Sequence, residues 1–229
     1  MKGSPNKRLH YGQISEQNAA VKKIVARARA AATARLMFND LSSPKALLAT
    51  RRSGKPRDMV APGPSDAQLR QILESAMRVP DHGKLAPWRF VIVPAGRRDA
   101  FADLLERAYR ADKPDPGRLE LEAVHQFAHQ APMLVVALSK PDAGSHIPLW
   151  EQELSAGALC MNLLVATHAA GYVGGWLTSW AAYSPVVRDA FGKADERIAG
   201  FIFIGSPSRP LDERPRPEYD RIISEWDGQ

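Results

Sequence analysis

The 229-residue chain has one cysteine, Cys160, so it cannot form an internal disulfide, and this usage fits a reducing compartment. It lacks a G-x-S-x-G nucleophile elbow and a G-x-x-x-x-G-K-S/T phosphate loop. Its glycine cluster at 171–175 is not a G-x-G-x-x-G opening a helix, so a dinucleotide fold of the Rossmann type is unsupported. No uncharged run reaches the ~20 apolar residues that a bilayer span requires. The longest, Leu154 to Ala170, is interrupted by Ser155, Asn162, Thr167 and His168 and reads as a buried helix. The N-terminus has neither the apolar core nor the small-residue cleavage site of a secretory signal. The expectation is a soluble, cytoplasmic protein with no membrane partner.

Positive charge is plentiful, but it is local. Formal net charge is +6. Residues 1–36 hold eight Lys/Arg (Lys2, Lys7, Arg8, Lys22, Lys23, Arg27, Arg29, Arg35) and one acid, Glu16, a net of +7. The remaining 193 residues carry 23 Lys/Arg against 24 Asp/Glu, a net of −1. The expected organisation is therefore a basic extension over 1–36, partly helical from about Ser15 or disordered, followed by a neutral domain over 37–229. Binding of nucleic acid through the basic segment is a minor alternative. The neutral body gives no reason to expect it. Hydrophobic residues at 45% and charged residues at 24% are ordinary globular values and exclude disorder throughout.

The body is clearly punctuated. Ser43-Pro44 opens a helix to about Thr50, and Ser65-x-x-Gln68 is a capping box before Leu69, Ile72, Leu73, Ala76 and Met77 at helical spacing. A Pro-rich loop from Pro80 to Pro87 leads to a strand at 89–93, and helices are expected near 97–111 and 118–129. Met133 to Leu138 is an unbroken β-rich run, hence a buried strand. A long helix from Pro148 ends at Gly171, and strands follow at 172–177 and 198–204, separated by a short helix capped by Ser184-Pro185. After Gly205 the chain is Pro/Arg-rich and aperiodic, a tail or arm. The pattern suggests an α+β or α/β sandwich, and the apolar helix at 148–170 suggests a homodimer.

Three constellations could carry chemistry. Arg51-Arg52-Ser53 offers two guanidiniums and a hydroxyl suited to a terminal phosphate, or simply a solvated basic helix end. Arg78-x-Pro80-Asp81-His82-Gly83-Lys84 with Pro87-Trp88 is a stiff loop that could aim side chains at a ligand, or a structural turn. Gly171, Gly174 and Gly175 before Trp176, Leu177 and Thr178 permit close backbone approach to a flat ligand, or only cap a helix and start a strand. His125 and His129 lack a third ligand, Glu151 and Glu153 complement a helix dipole, and Cys160 reads as core, so no metal site or nucleophile stands out. If the chain is an enzyme, the hard chemistry belongs to a cofactor.

Taken together, Arg51-Arg52-Ser53, Arg78-x-Pro80-Asp81-His82 with Pro87-Trp88, Trp150-Glu151-Gln152-Glu153-x-Ser155-Ala156-Gly157 and Gly174-Gly175-Trp176 resemble, in order and spacing, the flavin-dependent NAD(P)H nitroreductase family, in particular its small bacterial members. The resemblance covers about Leu41 to Pro207. It implies an α+β fold, a three-layer sandwich with a central, mainly antiparallel sheet, forming an intertwined homodimer with FMN at the subunit interface. By position, Arg51, Arg52 and Ser53 would hold the FMN phosphate and ribityl chain, and Arg78 and His82 would contact the flavin from the loop. Trp176, Leu177 and Thr178 would meet it from the glycine-rich segment, and Ala166, Thr167, His168, Ala169, Ala170 and Gly171 fall where small members are assigned nicotinamide-nucleotide contacts. The implied reaction is hydride transfer from NADH or NADPH through flavin N5 to an acceptor such as a nitroaromatic or quinone, in a ping-pong cycle with no catalytic side chain. A flavin carrier or sensor without turnover is the alternative. Here His82 or Lys84 could serve as a cation favouring the reduced flavin's anion, Leu177 replaces a polar or cationic residue, and Arg209 is the nearest counterpart of the basic pair that larger members carry after the last strand.

Overall fold

A computed structural model gives the structure of residues 38–228. The basic helix expected over 15–37 and the boundary near residue 36 lie outside these residues. In chain order the elements are α1 (Pro44–Thr50), β1 (Met59–Val60), α2 (Asp66–Ala76), β2 (Trp88–Val93), α3 (Arg98–Asp112), α4 (Arg118–His129), β3 (Met133–Ser139), α5 (Leu149–Ala169), β4 (Val173–Leu177), α6 (Pro185–Phe191), β5 (Arg197–Pro207) and α7 (Tyr219–Ile222).

Local signals set the helix starts. Ser43 Oγ accepts from the Ala46 amide at 3.1 Å. Ser65 and Gln68 cap each other reciprocally, and Glu120 folds back onto the Gly117 amide at 2.8 Å. α5 ends at Ala169, with Gly171 at φ +85° supplying the left-handed residue that its exit requires. Ser184 departs from expectation: Pro185 opens α6, but the Ser184 side chain makes no capping bond. Two elements were not foreseen, the two-residue β1 and the single turn α7, both too short to show a period.

All strand pairings are antiparallel. The sheet runs β1-β5-β3-β2, and β4 also pairs with β5, from Val173 opposite Gly205 to Leu177 opposite Phe201. The alternation along β3 and β5 divides the core. Leu134, Val136, Leu138, Phe201 and Phe203 face Phe101, Leu105, Val124 and Val187 of α3, α4 and α6. Val135, Ala137, Ile202 and Ile204 face Leu69 and Ile72 of α2 and Cys160, Leu163 and Leu164 of α5. The result is the expected three-layer sandwich with helices on both faces.

α5 carries its apolar residues all the way round. Leu159, Cys160, Leu163 and Leu164 are buried, while Trp150, Leu154 and Met161 lie 66%, 52% and 38% exposed along the opposite side. Such a helix has one face that the described residues leave uncovered.

Candidate functional site

The sandwich brings the first and third constellations together. Arg51 ends α1 by leaving helical backbone geometry, and the chain passes over β4, where the Gly54 amide donates to the Gly174 carbonyl at 3.1 Å. A Cβ on Gly175 would sit 2.7 Å from the Gly54 carbonyl oxygen, so only a bare backbone lets this loop lie against the strand. The glycines anticipated for close approach to a ligand thus first serve the close approach of the basic loop.

Within that loop the two arginines diverge. Arg51 is half-buried, donates from Nη1 to Ser53 Oγ at 3.3 Å, and has no carboxylate within ion-pairing distance among the described residues. Its burial, together with the charges of Arg216 and Arg52, lowers its pKa, as expected where cations converge without an internal counter-ion. Arg52 is buried and turned toward the C-terminal arm. It donates from Nε and Nη2 to the Asp212 carbonyl at 2.9 and 2.5 Å, and its Nε lies 3.3 Å from a Glu213 carboxylate oxygen. Lys55 pairs with Asp212 at 2.9 Å, and Arg209 pairs with Asp58 at 2.7 Å. The aperiodic tail is therefore an arm fastened to the basic loop. Arg209 is spent on Asp58, whereas Arg216, which the sequence did not single out, is the arm guanidinium that bears on Arg51.

The stretch 166–171 separates by exposure. Thr167 and His168 are fully enclosed, Ala166 is half-buried, and Ala169, Ala170 and Gly171 are exposed. His168 accepts at Nε2 from the Gly174 amide at 3.2 Å, and burial followed by the Arg51 charge pushes its pKa down to about 4. Trp176 lays its ring across Gly200 and donates from Nε1 to the Ala199 carbonyl at 2.9 Å, while Leu177 and Thr178 close the strand half-buried.

The second constellation is built elsewhere. Arg78 is exposed, and Asn162 of α5 donates to the carbonyls of Ser75 and Arg78. Ser155 of α5 donates to the Pro80 carbonyl at 2.7 Å and accepts from Trp88 Nε1 at 3.0 Å. The Asp81 carboxylate accepts from the amides of Leu85 and Ala86, holding Lys84 and Ala86 at positive φ. His82 Nδ1 lies 2.7 Å from Glu151 Oε2, so Glu151 anchors this loop, and Glu153 pairs with Arg197. His125 and His129 face Glu106 and Asp99 between α3 and α4. The two halves are held by different parts of the fold: the Arg78–Lys84 loop by Glu151, Ser155 and Asn162 of α5, and the basic loop by Gly174 of β4, whose amide donates to His168 near the far end of that helix.

Comparison with known proteins agrees with this architecture. The family model described as "Nitroreductase family" matches residues 48–206, and the chain belongs to that family. The Escherichia coli K12 protein named "Putative NAD(P)H nitroreductase YdjA" is 35% identical over 162 residues, covering 70% of this chain and 86% of that protein. Among solved structures, a nitroreductase-like family protein from Bacillus cereus superposes with a TM-score of 0.68 at 18% identity, covering 82% of this chain and 97% of the other. The FMN and NADPH-dependent nitroreductase NfnB from Sphigopyxis sp. strain HMH does so with a TM-score of 0.63 at 20% identity, covering 81% and 99%. At those identities the superpositions speak for the fold.

Proposed function

We propose that the chain is an FMN-dependent oxidoreductase that takes hydride from NADH or NADPH and delivers it to a small-molecule acceptor such as a nitroaromatic or quinone. The observation that carries this reading is the half-buried Arg51, with Arg216 and Arg52 near it and no carboxylate among the described residues to neutralise it, set over the glycine-rich strand β4. Converging guanidiniums beside the Ser53 hydroxyl suit a phosphate ester, and Gly174-Gly175 allow the loop to hold that phosphate against the sheet edge. Arg51, Ser53 and Arg216 would take the phosphate, with Arg52 bracing the arm that carries Arg216. Trp176, Leu177 and Thr178 would border the flavin, and the exposed Ala169, Ala170 and Gly171 would be open to a nicotinamide nucleotide. FMN held there supplies two-electron hydride chemistry, so the protein's part is to bind, orient and exclude water.

The working unit is a homodimer. The exposed apolar side of α5 calls for a second helix, and a two-fold copy would set the Arg78–Lys84 loop of one protomer against the basic loop of the other. Lys84 would then place a cation beside the flavin, favouring its reduced anion, and His82 would border it from the same loop.

A yellow preparation bleached anaerobically by NADH or NADPH and reoxidised by a nitroarene or quinone is the expected result. Colour without bleaching would replace the enzyme reading with a carrier or sensor. A flavin-free chain that cannot take up FMN would overturn both.

A further inference from the structure

We infer that His168 is a positioning residue for the phosphate-binding loop, acting from beneath β4 through Gly174. The inference rests on the FMN reading above. Both peptide groups of Gly174 point away from β5: its N–H donates to His168 Nε2 at 3.2 Å, and its carbonyl accepts from the Gly54 N–H at 3.1 Å. A single peptide edge therefore connects the imidazole on α5 to the end of the Arg51-Arg52-Ser53 loop. Ser53 is one residue and Arg51 three residues before Gly54, so a shift of Gly174 is passed to the groups assigned to the phosphate.

Packing alone does not account for a histidine at this position. The side chain is fully enclosed on the inner face of α5, where the preceding two turns bury Leu159, Cys160, Leu163 and Leu164 and its neighbour Thr167 is buried with it. Because Nε2 accepts, the ring proton sits on Nδ1, and Nδ1 has no partner among the described residues. Thr167 Oγ1 beside it is likewise buried without a partner. An enclosed N–H without an acceptor is destabilising, and a leucine would fit the same face without it. What the imidazole contributes is an acceptor at the right height for the Gly174 amide. Neutrality suits the place as well, since an imidazolium beside Arg51 would lose that acceptor and repel the guanidinium. The enclosure also argues against direct contact between this side chain and a nicotinamide nucleotide.

The experiment compares FMN with riboflavin, which lacks the phosphate, by fluorescence titration of the full-length flavin-free chain. His168→Leu removes the acceptor and is expected to weaken FMN binding about threefold to tenfold, the range for one hydrogen bond. Riboflavin affinity should be unchanged and the melting temperature unchanged or raised. His168→Gln, whose amide oxygen can replace Nε2, should restore FMN affinity. If His168→Leu does not fold, His168→Met carries the same expectation. The inference is overturned if the acceptor-free variant keeps the wild-type preference for FMN over riboflavin, if both ligands weaken equally, or if Gln fails to rescue. Wild-type protein that binds neither flavin would instead sink the FMN reading itself.

Discussion

Arg89 on β2 donates from Nε and Nη2 to the two carboxylate oxygens of Glu196, each at 2.8 Å. Nη2 also reaches the Phe191 carbonyl at 2.6 Å, where α6 ends, and the Lys193 amide donates to the same carboxylate at 2.8 Å. One buried acid thereby ties β2, the end of α6 and the turn into β5. The Arg89 hydrogen bonds are the main cause holding the Glu196 carboxyl down at about 2, well below its ordinary value of 4.5.

That depression has a sign and a window. The folded value lies below the unfolded one, so the pair stabilises the native state fully above about pH 4.5 and progressively less as pH falls toward 2. The shift corresponds to a contribution on the order of 3 kcal/mol. Glu196→Gln should lower unfolding free energy at pH 7 by a comparable amount, and the gap to wild type should narrow below about pH 4.5 and be nearly gone only at about pH 2. Urea denaturation at the two pH values measures it. A gap that persists undiminished in acid would show that the link is shape rather than charge.

Trp176 and Gly200 test whether β4 borders the flavin. A Cβ on Gly200 would stand 2.0 Å from Trp176 Nε1 and 2.3 Å from Cδ1, so Gly200→Ala must displace the indole and break its bond to the Ala199 carbonyl. Trp176 is exposed and free to swing out, so the cost in stability should be small, about 1 kcal/mol. Its fluorescence should shift to the red, and the flavin absorption band of the bound cofactor should change. An unaltered flavin spectrum would place Trp176 away from the ring.

The arginines of the loop and arm are expected to differ in kind. On the proposed phosphate assignment Arg51→Ala and Arg216→Ala would each remove a charge-assisted contact worth about 1.5–3 kcal/mol, so FMN affinity should fall roughly tenfold or more in each. Neither residue should matter much for stability, since neither guanidinium has an ion-pair partner among the described residues. Arg209→Ala should leave FMN affinity near wild type, because Arg209 is committed to Asp58. Titration of the three variants ranks them, and a large loss in Arg209→Ala with none in Arg216→Ala would reverse the assignment.

The sequence was legible where an element carries its own signal. The Ser65–Gln68 capping box, the buried run 133–138 and the apolar helix before Gly171 each encode their structure within a few residues. The motifs Arg51-Arg52-Ser53 and Gly174-Gly175 could be noticed, but what each does could not. The separation of Arg51 from Arg52 depends on Asp212 and Glu213, some 160 positions away. Arg216 sits in an aperiodic Pro/Arg-rich stretch, and His168 lies on a helix whose apolar residues run all round it, so no pattern marks either. Glu151 read as an acid suited to a helix N-terminus, and only the folded loop shows that it anchors His82. Long-range partners of single charged groups leave no local periodicity behind.

The exposed side of α5 gives the last test, and it links assembly to cofactor. Leu154 stands 52% exposed midway along the stripe from Trp150 to Met161. Placing a charge there with Leu154→Arg would bury an unpaired guanidinium in any helix-to-helix contact, at a cost of several kcal/mol, while leaving the fold of one protomer intact. The variant should therefore sediment as a monomer with an unchanged circular dichroism spectrum. On the shared-site reading it should also lose FMN, because His82 and Lys84 would then reach the flavin only from a second copy, their loop being held to α5 at Glu151 while the basic loop lies against Gly174 of β4. A monomeric variant that keeps wild-type FMN affinity would mean that one protomer suffices for the site, and the shared-site arrangement would fall while the Arg51–Arg216 phosphate assignment stood.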